Sequence, residues 1–163
     1  MPRLRLQVNS SVALPPRLAK WLRLAARVCE AELPAEVREA QLSLTFCGDK
    51  RMRTVNRDHR GKDKTTDVLS FPSQQDLRRN SARDWAAPGI LPLGDLLISL
   101  PQATHQAKGF GVTLEEEVVH LFFHGFLHVL GWDHERSARE EGLMQAREAA
   151  LLERFARGRR RQK

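Results

Sequence analysis

Three histidines within residues 124–134, HGFLHVLGWDH, stand at a spacing that lets one metal ion gather them. His124 and His128 are four residues apart in a run of helical character, about 40° apart on one face and one turn apart along the axis. Gly131 follows where a helix ends on a residue of positive φ, and the reversal it permits brings His134 back towards the first two. Neutral imidazole binds zinc at about 2.0 to 2.1 Å, and three protein ligands with an open fourth position describe a catalytic rather than a structural site. His120 extends the same face, but eight residues of helix place it about 12 Å from His128, with His124 crowded between them. The expected ligands of one Zn2+ ion are therefore His124, His128 and His134, with His120 lining the site or packing beside it. A lone histidine on an apolar helix face is usually a hydrogen-bonded core residue, and that reading applies to His59, His105 or His120 taken singly. The set of three with its glycine turn carries the metal signal.

Metzincin proteases share this spacing as HExxHxxGxxH, with a glutamate after the first histidine acting as general base. Gly125 occupies that position here, so the proton acceptor a peptidase needs is missing from its place. Histidine spacing, glycine and the closing DH together resemble the YbeY family of bacterial metal-dependent endoribonucleases, whose signature HGxLHLxGxDH is matched except for Val129 in place of leucine. Residues 56–72, NRDHRGKDKTTDVLSFP, extend the likeness, since the family carries a similar stretch ending in PTDVLSFP. Thr65 stands where the family usually has proline, a change that affects loop stiffness more than chemistry. The family's catalytically important arginine precedes that aspartate by about seven positions, which implies a catalytic role for Arg60. Asp67 is expected to order the loop or to accept a hydrogen bond from a metal-site histidine. The segment LGDLLIS, residues 93–99, is similar to the family's LGDI, and the resemblance covers most of residues 40–135.

Scaffold elements can be read around these motifs. Leu4, Leu6 and Val8 alternate with polar residues over 3–9, and Leu42, Leu44 and Phe46 alternate in the same way, as half-buried strands do. Between them Pro15 and Pro16 precede a helical pattern from Leu18 to Leu33 that Pro34 closes. Gly48 and Asp49 cap a short helix through Met52 and Val55, and residues 56–72 read as a basic loop running into a strand at Val68, Leu69 and Phe71. Residues 73–92, with Trp85, have no period and read as a surface loop or flap. Leu96 to Leu100 is a nearly continuous apolar strand, Pro101 opens a helix ending near Gly109, and Thr113 with Glu116 forms a capping box. The helix that follows carries the histidines, is apolar on most sides and should be the buried centre. Ser137 and Glu140 form a second capping box, opening a last helix. The order of elements predicts an α+β domain over 1–153, a small sheet packed with about five helices, followed by a basic tail at 154–163. The resemblance adds a four-stranded mixed sheet with the metal at one end of the central, zincin-like helix.

At 163 residues and 41% hydrophobic content the chain fits one domain with a genuine core. Its net charge of +7 and pI near 10.2 favour an anionic partner, and nucleic acid outranks a membrane because no apolar run of about 18 residues exists. Cys29 and Cys47 lack a CxxC pairing and read as reduced, buried thiols. The opening MPRLRLQV has no continuous apolar stretch of the secretory kind, so a cytoplasmic location is expected.

The resemblance implies a zinc-dependent, single-strand-specific endoribonuclease acting in 16S ribosomal RNA maturation and ribosome quality control. Its partners would be single-stranded RNA, ribosomal RNA and the small ribosomal subunit. Two other readings compete: a non-catalytic RNA-binding ribosome-biogenesis factor with a structural zinc, and a metalloprotease, which Gly125 disfavours.

Overall fold

The computed structural model describes residues 1–73, Arg78 and residues 89–162. Its elements are β1 (Arg3–Ser10), α1 (Leu18–Cys29), β2 (Glu39–Cys47), α2 (Asp49–Arg60), β3 (Val68–Pro72), β4 (Leu91–Ser99), α3 (Leu100–Phe110), α4 (Leu114–Val129) and α5 (Ala138–Arg161). The strands form one sheet in the order β1-β2-β4-β3, parallel from β1 through β4 and antiparallel between β4 and β3. Among the described residues this is the α+β arrangement of about five helices expected from the order of elements, with the four-stranded mixed sheet that the resemblance implies.

Burial follows the strand patterns. In β2, Ala40, Leu42, Leu44 and Phe46 alternate inward, whereas β4 is apolar on both sides. Leu93, Leu96 and Ile98 of β4 enter the main core with the phenylalanines of α4, and Leu97 enters a smaller core with Cys47, Met52 of α2 and Leu69. A strand covered on both faces loses the alternation of a half-exposed one. Phe122, Phe123 and Phe126 are wholly buried, and ring contacts from Phe155 to Trp21 (5.7 Å) and to Phe123 (6.1 Å) join α1, α4 and α5. Gly94, at φ 140°, lets β3 approach closely: a Cβ there would stand 2.2 Å from the Phe71 carbonyl oxygen.

The structure moves several expected boundaries. Residues 56–60 belong to α2 rather than to a loop, because Met52 and Asn56, one turn apart, are its buried residues and the charged side chains face solvent. Asn56 masks the period: a buried amide replaces an apolar residue, and its Nδ2 donates to the Lys64 carbonyl at 2.8 Å. Leu91 and Pro92 lie in β4 rather than in the expected flap, most of which, Trp85 included, falls outside the described residues. α3 ends at Phe110, next to the expected Gly109, and Gly111 (φ 69°) is the glycine that caps it. Residues 154–161 continue α5, whose Phe155 is in the core. Both cysteines are free and buried. Among the described residues no helix is long and apolar enough to cross a membrane.

Candidate metal centre

The helix that carries the histidines is capped at both ends. Thr113 accepts from the Glu116 amide while the Glu116 carboxylate accepts from the Thr113 amide, a reciprocal box that starts α4 as expected. Its C-terminus closes through Gly131, at φ 102°, with the Trp132 amide donating to the Leu127 carbonyl and the Gly131 amide to that of His128. This is the Schellman arrangement, which reverses the chain towards His134. Arg78 braces the turn: its amide donates to the Leu130 carbonyl, and its guanidinium lies 3.5 Å from the centre of the Trp132 ring and 3.0 Å from Glu140. Glu140 therefore serves Arg78 instead of closing the expected capping box, and the cap at Ser137 consists only of the bond from the Glu140 amide to the serine hydroxyl.

The turn brings the three imidazoles together. His124 Nε2 is 3.1 Å from His128 Nε2, which is 3.1 Å from His134 Nδ1, and the three form a group able to hold a metal ion. Nitrogens bound tetrahedrally at about 2.0 to 2.1 Å stand about 3.3 Å apart, so the spacing fits. The donor chemistry fits as well. Burial first, and then the neighbouring His124 and His134, push the His128 imidazole down to about 4, which keeps it in the neutral form that ligates. The side chains of His124 and His134 are 30% and 39% exposed, so a solute can reach the group. Two clefts, one beside Trp132 and one beside the start of α2, are lined by residues other than the three histidines.

Protonation of His128 links the site to stability. An unfolded histidine takes up its proton near the ordinary value of 6.5, and the folded His128 does so only near 4. Between these values the unfolded chain binds more protons, so the metal-free protein should lose stability as pH falls from about 6.5 towards 4. Chemical denaturation across that range in the presence of a chelator reads the loss, and His128→Gln should flatten it.

A carboxylate that the sequence does not single out orients the ring of His124. Glu148 of α5 lies with its Oε1 2.5 Å from His124 Nδ1 and its Oε2 3.7 Å from His120 Nε2. Burial alone would raise this carboxyl, but the neighbouring imidazoles of His120 and His124 outweigh burial and hold it at about 2. An ionised carboxylate only accepts, so His124 Nδ1 carries the proton and Nε2 presents its lone pair to the centre. The signal was available: Met144, Glu148, Leu151 and Phe155 recur at steps of four, three and four, which puts an acid in the buried stripe of an amphipathic helix. Replacing Glu148 by Gln should weaken metal binding about 10- to 100-fold, the usual effect of removing such a partner. Competition against a coloured chelator checks it, and unchanged affinity would remove Glu148 from the site.

His120, as expected, sits beside the centre, facing Glu148 and Glu117 rather than joining the group. Asp67 orders its loop: its carboxylate accepts from the Val68 amide at 2.7 Å and from Gln106 at 3.1 Å, and it makes no hydrogen bond to the metal-site histidines. Gly125 has a packing reason. A Cβ there would come 2.9 Å from Leu96 and 3.2 Å from the Ser70 hydroxyl, so the base of a metzincin has no room. Arg60, the last residue of α2, donates from Nη2 to the Ser70 carbonyl at 3.0 Å, and the Ser70 hydroxyl donates to the Gly125 carbonyl at 3.3 Å. The exposed guanidinium is thus tied through β3 to the residue following His124.

An accessible group of three imidazoles at the end of a buried helix, set on a four-stranded mixed sheet, defines the class: an α+β protein with a three-histidine cluster able to hold a metal ion. The family model described as Endoribonuclease YbeY matches residues 7–156. Curated proteins named Endoribonuclease YbeY are similar: that of Leptospira interrogans is 43% identical over 122 residues, covering 71% of this chain and 86% of its own. The one from a Sulfurihydrogenibium species is 36% identical over 140 residues, covering 86% and 85%. A Thermotoga maritima protein solved in solution shares the fold with a TM-score of 0.65 at 19% identity, over 97% of this chain and 93% of that one. The chain belongs to the YbeY family.

Proposed function

We propose that this protein is a zinc-dependent endoribonuclease that cuts single-stranded RNA, with His124, His128 and His134 holding the metal and Arg60 contacting the phosphate. The observation that carries the reading is the convergence of three imidazole nitrogens, 3.1 Å between successive pairs, at a surface a phosphodiester can reach. Zinc bound there would supply Lewis acidity towards a phosphate oxygen and a water of lowered pKa. The chain supplies the rest. Glu148 fixes the ring of His124, and the Schellman turn with Arg78 fixes the position of His134. Arg60 offers a permanently charged planar fork suited to the growing negative charge of a phosphoryl transition state. Its link to the histidines through Ser70 and Gly125 supports that placement.

Small-subunit ribosomal RNA maturation and ribosome quality control in the cytoplasm are the proposed setting, following the family resemblance and the strongly basic chain. The test is metal content of the purified protein measured beside cleavage of one RNA sequence presented as single strand and as duplex. Stoichiometric zinc with cleavage of the single strand supports the proposal. Zinc without cleavage of either form would favour the structural-zinc reading. Fragments ending in a cyclic phosphate would assign the attack to the 2′-hydroxyl of the substrate.

A further inference from the structure

We propose that the exposed sides of α1 and of the C-terminal part of α5 form a second RNA-binding surface, separate from the metal centre, that docks the phosphate backbone of a folded RNA. The two helices pack antiparallel. Trp21 meets Phe155, Leu24 lies against Gly158, and Glu32 just beyond α1 pairs with Arg147 and Arg154. This pairing brings Arg160 and Arg161 towards the end of α1 that begins with Arg17 and Lys20.

The charge on this surface is one-sided. Helix α1, LAKWLRLAARVC, contains no acid, and its exposed Lys20, Arg23 and Arg27 follow Arg17 at three- and four-residue steps. On α5 the nearby acid Glu153 is taken by Arg157, while Glu32 and Glu116 are taken by Arg154 and Arg159. Arg17, Lys20, Arg23, Arg27, Arg160 and Arg161 are exposed and have no ion pair among the described residues. Like charges held together on rigid helices repel unless a polyanion lies across them, and such a stripe is the electrostatic footprint of nucleic acid. Tertiary structure creates it, because residues 154–161 are ordered helix packed on α1 rather than a loose basic tail.

Other partners fit less well. The large exposed hydrophobics, Met1, Val8, Ile90, Phe110, Val112 and Leu143, all lie outside α1 and the C-terminal part of α5. The surface therefore lacks exposed apolar residues to insert into a membrane interface or to anchor a protein hot spot. Five of the six unpaired cations are arginines, whose fork matches phosphate oxygens. The surface also turns away from the metal centre. Glu148, which faces His124, shares the inward stripe of α5 with Leu151 and Phe155, whereas Arg157 and Arg161 are exposed one turn apart on another side. The RNA held here meets a different side of α5 from the one that carries Glu148, and its binding is independent of whether the histidine centre cleaves.

The test compares the metal-loaded full chain with a variant carrying Arg17→Gln, Lys20→Gln, Arg23→Gln and Arg27→Gln. The probes are a folded RNA hairpin, a single-stranded tetranucleotide, and vesicles of phosphatidylserine and phosphatidylcholine. Fluorescence anisotropy over a salt series should show hairpin affinity reduced at least about tenfold and the slope of log Kd against log salt reduced by about 3, as expected for loss of four phosphate contacts. Metal content and binding of the tetranucleotide should not change. A companion variant with lysine at positions 17, 23 and 27 should keep the slope, which separates charge from folding. Unchanged hairpin affinity and slope in the glutamine variant, or a loss confined to the vesicles, overturns the proposal.

Discussion

Replacing His128 by alanine is expected to abolish stoichiometric metal binding and to lower RNA cleavage by about 10³-fold, with the helical content of the protein retained. His128 has the largest effect because its Nε2 is the atom common to both 3.1 Å pairs, so its loss leaves two nitrogens without the one between them. Metal activation of a phosphodiester contributes several kcal/mol, and about 4 kcal/mol corresponds to a factor of 10³ in rate. The fold should survive. His128 is neutral in place, so no buried charge is left unpaired, and the packing of α4 rests on Phe122, Phe123 and Phe126. Metal analysis, cleavage assays and far-UV circular dichroism on one preparation decide the matter. A variant that loses its helical signal together with its metal would instead make the ion structural.

For Arg60→Gln the expectation is a fall of about 10²- to 10³-fold in cleavage with full metal content, the usual loss when one preorganised charge is removed from a transition state. Arg60→Lys should recover only part of the rate, since an ammonium keeps the charge but not the planar fork. Structural effects should be small. The bond from Arg60 to the Ser70 carbonyl is a single part-buried contribution of about 1 kcal/mol, and the buried residues of α2 are Met52 and Asn56. Comparing kcat with metal content for both variants separates a role at the phosphate from a role in holding the site. Wild-type rates in Arg60→Gln would remove this arginine from the chemistry.

The site was partly legible before any coordinates. Four-residue spacing puts two histidines on one helical face whatever surrounds the helix, and a glycine at the helix end announces a reversal, so the three imidazoles could be named from residues 124–134. The caps at Thr113 and Ser137 were legible for the same reason, being local hydrogen bonds within one turn. The extent of α2 was not. Its second buried residue is Asn56, whose burial depends on a carbonyl eight residues away, and a polar amide looks like loop until that partner is known.

Residue order by itself pointed to the three histidines of the candidate site, to the class of fold and to the absence of a metzincin base at position 125, because each is written in neighbours within a few positions of the chain. Tertiary structure decided what lies across the molecule: that Glu148, 24 residues from His124, is the carboxylate on the metal-site ring in place of Asp67, and that Gly125 is kept small by Leu96 and Ser70. It also turned a basic tail into one side of a two-helix surface. Helix and turn periodicities are imposed by local backbone geometry and so are written into the spacing of residues, whereas the meeting of two side chains from separate elements depends on how those elements pack, which no local pattern records.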